Sequence, residues 1–136
     1  MPTDSHKLAR SVARLNRRLR QERQTDLTPT QLSVLGSIRT LGSATPSAIA
    51  AHERVQPPSV TRTLTCLVDE GLALREPHPV DGRQVIISVS DKGEAVLAEE
   101  RDRRDEWLAH RLAELSTAER KTLREAAVLL EQLADS

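Results

Sequence analysis

The chain has 136 residues, enough for one domain, with 38% hydrophobic and 29% charged residues. No run approaches the roughly 18 apolar residues of a membrane span, and Met1-Pro2-Thr3-Asp4-Ser5 lacks the basic start and apolar run of a signal peptide. A single cysteine, Cys66, excludes a disulfide framework and a zinc cluster, and Trp107 as the sole aromatic residue excludes base-stacking platforms for single strands. A cytoplasmic domain with an aliphatic core is expected.

The formal net charge is zero, but it is unevenly spread. Over residues 1–24 seven bases against two acids leave +5; over 25–90 five against six leave −1; over 91–136 eight against twelve leave −4. The basic start is either a solvated helix face or a field that favours an anion.

Residues 4–23 read as a first helix, with Leu8, Val12, Leu15 and Leu19 on one stripe of a basic rod. Thr28-Pro29-Thr30-Gln31 opens a second: Thr28 caps, Pro29 fits the first helical position and Gln31 the capping-box position. Leu32, Leu35, Ile38 and Leu41 are expected to face a core, and Gly42 to end the helix. Thr45-Pro46-Ser47 starts a short third helix to about Glu53, with Ala48, Ile49 and Ala51 as small apolar contacts. A residue before proline is pushed out of the helical region, so Pro57 is expected outside the fourth helix and Pro58 in its first turn. That helix should reach about Glu70, with Gly71 as its C-terminal cap. Residues 72–76 and 84–89 read as strands joined by Pro77–Arg83 with an Asp81-Gly82 turn. Ser90 caps a long fifth helix to about Glu114. Ser116-Thr117-Ala118-Glu119 is a capping box for a sixth, with Leu123, Ala127, Leu130 and Leu133 or Ala134 on one side.

Three helices followed at once by a hairpin are the order of a winged helix-turn-helix, whose second motif helix enters the DNA major groove. The expected fold class is mainly α with a small β-hairpin wing (α+β). In the fourth helix Val60, Leu64, Leu67 and Val68 cluster on one side. Ser59, Arg62, Thr65 and Cys66 lie opposite, flanked by Thr61 and Thr63. Short hydroxyls allow close approach, and an arginine offers two parallel donors to a guanine edge. The first turn of this helix is expected to offer free N–H groups to a phosphate. Arg83, at an exposed turn, can enter a narrow minor groove, and Asp81 is expected to pair with an arginine and fix the loop. The competing view is an ordinary surface helix rich in threonine.

These pieces resemble a MarR-family transcriptional regulator. The matching residues are Leu27-Thr28-Pro29-Thr30-Gln31-Leu32, Pro57-Pro58-Ser59-Val60-Thr61-Arg62, Leu67-Val68-Asp69-Glu70-Gly71-Leu72, Arg75, Asp81-Gly82-Arg83 and Val89-Ser90-Asp91-Lys92-Gly93. The family usually has Leu-Thr where this chain has Val89-Ser90. The resemblance spans almost the whole chain. It implies one MarR-type domain over 1–136, with a DNA-binding lobe at 25–90 and dimerisation helices at 4–23 and 91–136. It implies a homodimer on palindromic double-stranded DNA, usually a repressor. On that pattern Ser59, Thr61, Arg62 and Thr63 read the major groove, with Pro58 and Cys66 on the same helix. Arg83, beside Asp81 and Gly82, is the wing residue, and Thr45 and Ser47 touch phosphates. Family members are often released from DNA by a small, frequently phenolic effector; the sequence names no pocket for one.

Dimerisation has separate support. Leu8, Val12, Leu15 and Leu19, the interrupted stripe ending in Leu112 and Leu115, and Leu123 and Leu130 would leave a large apolar surface on one copy. The alternative is a bundle closed on itself. Trp107 belongs to a core or interface, or lines an effector pocket. Cys66 is a plain small residue or a redox sensor. His6, His52, His78 and His110 are scattered, so no metal and no cofactor is expected. No phosphate loop or nucleophile elbow points to an enzyme. A winged-helix interaction module without operator binding is the second reading, favoured by the near-neutral lobe.

Overall fold

The computed structural model describes residues 3–22 and 25–136. The expected end of the first helix at Arg23 falls outside them. The chain divides into two compact units, Arg23–Asp102 and Met1–Glu22 with Arg103–Ser136.

In the first unit, α2 (Pro29–Leu41) opens with a reciprocal box. The Thr28 hydroxyl accepts from the Gln31 N–H at 3.1 Å, and Gln31 Oε1 accepts from the Thr28 N–H at 2.9 Å. Leu32, Leu35 and Ile38 are buried, together with Val34 and Ser37. Leu41 is exposed, against expectation. At about 100° per residue it shares a face with Val34 and Ser37. Its place at the last residue of the helix, not its face, leaves it beyond the core. Gly42, with φ +86°, turns the chain out of the helix.

A two-residue strand, β1 (Ser43–Ala44), follows, too short to show alternation in the sequence. In α3 (Pro46–Glu53) the Thr45 hydroxyl caps the Ala48 N–H at 3.2 Å. Ile49 and Ala50 are buried, whereas Ala48 and Ala51 are exposed, because so short a helix turns only one narrow stripe inward. In α4 (Pro57–Asp69) both prolines are helical, correcting the expected start at Pro58. A helix does not use its first N–H groups internally, so two prolines there cost it no bond. Val60, Leu64 and Leu67 are buried and Val68 half-buried. Gly71, with φ +77°, closes the C-terminal end, where the Leu72 N–H reaches the Leu67 carbonyl at 2.9 Å.

Strands β2 (Ala73–Pro77) and β3 (Val85–Val89) form the hairpin, and β1 adds to its free side, giving the antiparallel order β1-β3-β2. Ser43 pairs with Ser88, and Arg75 with Ile87. Ile87 lies fully buried against a core of Leu35, Ile38, Ile49, Leu64 and Leu67. Each such side chain contributes about 1.5–3 kcal/mol through burial.

The helix α5 (Asp91–Ala113) starts at Ser90, whose hydroxyl accepts from the Gly93 N–H at 3.0 Å and donates to the Gly71 carbonyl at 2.5 Å. The Ser90 N–H donates to the Leu72 carbonyl at 3.0 Å. The turn that follows α4 and the start of α5 are therefore tied through one serine.

The second unit contains α1 (Asp4–Gln21), the later part of α5 and α6 (Thr117–Ala134). Leu8, Val12 and Leu15 of α1 and Leu123, Val128, Leu129, Leu130 and Leu133 of α6 are exposed; Leu19, Leu112 and Leu115 are half-buried. The half-buried Trp107 ring lies under the Arg18 guanidinium at 4.9 Å and near that of Arg111 at 5.5 Å.

The expected box opens α6. The Ser116 hydroxyl accepts from the Glu119 N–H at 3.1 Å, and Glu119 accepts from the Ser116 N–H at 2.9 Å. The bonds to the Ser116 backbone and then its side chain hold the Glu119 carboxyl below its ordinary value of 4.5. A depressed carboxylate contributes stability above its unfolded value and loses it as pH falls through the folded one. Thermal melts followed by circular dichroism between about pH 7 and about pH 3 should show a smaller acid loss in Glu119→Gln, which keeps the acceptor without the charge. An equal loss in both proteins would contradict this.

Candidate nucleic-acid interface

The site lies within the unit Arg23–Asp102. Burial of Val60, Leu64 and Leu67 turns the other side of α4 outward. Pro58, Ser59, Thr61, Arg62, Thr65 and Cys66 are exposed there, while Thr63 is half-buried on the flank. Among the described residues Arg62 has no ion-pair partner, so its guanidinium is available to a ligand. Thr61 donates to the Pro57 carbonyl at 3.1 Å and Thr65 to the Thr61 carbonyl at 3.0 Å. Both hydroxyls thus spend their proton on their own helix and present lone pairs and methyl groups outward.

The expected phosphate cradle at the start of α4 is absent. Pro57 and Pro58 carry no N–H, and the Ser59 N–H already donates to the Gln56 carbonyl at 3.1 Å. Any anchoring of a phosphate beside this helix must come from side chains or from α3. At the start of α3, Ser47 is exposed, whereas Thr45 is half-buried and its oxygen serves as the cap.

The wing is a built loop. Asp81 Oδ1 accepts from both the N–H and the Nε of Arg83, each at 3.1 Å. That is the expected pairing, and the Arg83 side chain still stands 92% exposed. The Arg83 guanidinium, then its N–H, hold the Asp81 carboxyl below the ordinary carboxylate range. Gly82 faces open space.

Two residues that fix this site, His78 and Lys92, are not marked by any sequence motif. His78 Nδ1 accepts from the N–H groups of Val80 at 3.1 Å and Asp81 at 3.0 Å. The signal for it was an acceptor side chain two and three residues before the N–H groups of a turn, a place usually held by Asn, Asp, Ser or Thr. Lys92 Nζ donates to the Glu70 carbonyl at the C-terminal cap of α4, at 3.0 Å. A cation there also suits the negative end of the helix.

The MarR family's sequence profile matches residues 27–85, the stretch that carries α2 to the start of β3. An HTH-type transcriptional regulator of Mycobacterium tuberculosis is 46% identical over 129 residues, covering 94% of this chain and 90% of its own length. A solved structure from Pseudomonas aeruginosa superposes with a TM-score of 0.82 at 36% identity, over 97% of this chain and 93% of that one. A mutant MarR from E. coli gives 0.74 at 28% identity, over 93% and 96%. With its wing, its outward helix face and a relative of this closeness along nearly its full length, the chain belongs to the MarR family of winged-helix transcriptional regulators.

Proposed function

We propose that two copies of this chain bind a palindromic duplex operator in the cytoplasm and repress transcription. The observation that carries this is the joint exposure of Arg62 on α4 and Arg83 on the wing, in one lobe whose core fixes both elements. Arg62 supplies the bidentate donor to a base edge. Ser59 and Thr61 approach alongside it, Pro58, Thr63 and Cys66 border it, and Arg83 enters the minor groove. Ser47 and the remaining valence of Thr45 meet phosphates. Asp81 and Gly82 shape the wing rather than touch the anion.

The second copy is supported by apolar faces that a lone chain exposes: Leu8, Val12 and Leu15 on α1, Leu123 and Leu130 on α6, continued by the half-buried Leu19, Leu112 and Leu115. Such surface marks an interface. Charge favours the same partner. One face of α1 carries Lys7, Arg10, Arg14 and Arg17, while beyond Arg124 the charges of α6 are Glu125 and Glu131 alone, with Asp135 at its cap. A small-molecule effector would act by binding one spacing of the two lobes better than another.

Selection of duplexes from a random pool tests this. The recovered sites should show inverted symmetry with half-site centres roughly 34–36 Å apart, affinity should fall steeply with salt, and sedimentation should give two chains. Recovery of no preferred duplex, or of sites without a dyad, would overturn the operator reading. Unaltered duplex binding by Arg62→Glu would favour an interaction module, which the −1 charge of residues 25–90 also suits.

A further inference from the structure

We propose that His78 is a positioning residue for the wing, and that protonation of its ring releases the wing and weakens the grip on DNA. The inference rests on the duplex-binding reading above and assigns a pH-dependent control to that site.

The geometry leaves the ring one role. Both partners of Nδ1 are backbone N–H groups, of Val80 and Asp81, and these can only donate. Nδ1 is therefore the acceptor, and the ring in this wing is neutral with its proton on Nε2. Protonation turns Nδ1 into a donor facing two donors. Both bonds are lost together, whichever way the ring turns.

Those two bonds sit where the wing is shaped. The Asp81 N–H is held by His78, and the Asp81 carboxylate in turn holds the Arg83 backbone and guanidinium. The His78 N–H donates to the Gln84 carbonyl, and the Gln84 N–H to the Asp81 carbonyl, each at 3.0 Å, closing the loop across its base. His78 thus fixes Asp81 from one side and Asp81 fixes Arg83 from the other. A rigid arginine loses less freedom on binding than a loose one. Pro77 and Pro79, on either side, narrow the backbone around the histidine.

The charged groups of the wing are Asp81 and Arg83 in the turn and Arg75 and Glu76 on β2; β3, Val85–Val89, carries none. Asp81 favours the imidazolium and Arg83 opposes it. Bound phosphates also favour the imidazolium, but they gain a cation at the cost of the loop that presents Arg83. The direction we assign is a net loss of affinity on acidification.

The test measures affinity for the selected duplex at about pH 8 and about pH 5.5, at fixed ionic strength, spanning the ordinary imidazole range. His78→Ala should bind about fivefold more weakly than wild type at the higher pH, as expected for losing two hydrogen bonds that order a loop. His78→Asn, whose Oδ1 can take the place of Nδ1 and does not titrate, should recover most of that loss. Wild type should lose about fivefold on acidification beyond whatever His78→Asn loses. Parallel profiles for wild type and His78→Asn would overturn the proposal, since His6, His52 and His110 are common to both. In the free protein, nitrogen NMR should place the ring proton on Nε2, and the amide signals of Val80 and Asp81 should titrate with the ring. Amides that ignore the ring would also overturn it. If no duplex binds at either pH, the operator reading fails, and the NMR result still decides the role of His78.

Discussion

Replacing Gly93 with alanine is expected to destabilise the protein by about 3 kcal/mol or more, one of the largest losses available from a single methyl group. Gly93 is buried in the first turn of α5. A β-carbon there would collide with the carbonyl of Leu72 and lie 2.7 Å from Cγ1 of Val89. The first obstacle is backbone, and it is backbone in use, because that same carbonyl accepts from the Ser90 N–H. The start of α5 would have to move off the sheet, breaking the bonds by which Ser90 and Lys92 hold Gly71 and Glu70. Denaturant unfolding measures the loss. Gly82→Ala, which meets nothing within 4 Å, serves as the control and should stay within about 0.5 kcal/mol of wild type. Equal stability of Gly93→Ala and Gly82→Ala would show that α5 does not approach Leu72 this closely.

Arg62→Ala should weaken binding to the preferred duplex by about 1–3 kcal/mol, roughly fivefold to 150-fold, and relax the choice of base at one position in each half-site. The stability of the folded chain should hardly change, because the exposed Arg62 has no ion-pair partner among the described residues. Loss of binding would therefore report on the duplex rather than on the lobe. Arg62→Lys should recover little, since an ammonium cannot reproduce the two parallel donors. Arg83→Ala should cost affinity more evenly across sequences. Competition with duplexes changed one base pair at a time, at constant salt, separates the two arginines. An unaltered base preference in Arg62→Ala would remove it from the major groove.

Helix boundaries were the most legible part of the sequence, because they depend on local chemistry. Thr28 with Gln31, Ser116 with Glu119, Ser90, Gly42 and Gly71 all act where their types predict. The buried side of α4 followed from its apolar spacing alone. What escaped depended on neighbours far along the chain. β1 is a strand only because Ser88 and Ile87 lie beside it. Ala50 rather than Ala51 is inside because of what covers α3. The first turn of α4 departs from expectation for a simpler reason: Pro57 and Pro58 have no N–H to donate, so the usual free donors of a helix start are missing there. His78 was legible in type but not in direction, since one imidazole can donate, accept or do neither.

The Trp107 ring has a practical corollary. With no tyrosine and no phenylalanine in the chain, ultraviolet emission comes from this one indole, which has two guanidinium groups close to its ring. The lobe that carries Arg62 and Arg83 is dark. Once the absorption of the added duplex or effector is corrected for, a change in that emission originates in the surroundings of the indole, without a label and without background from the lobe.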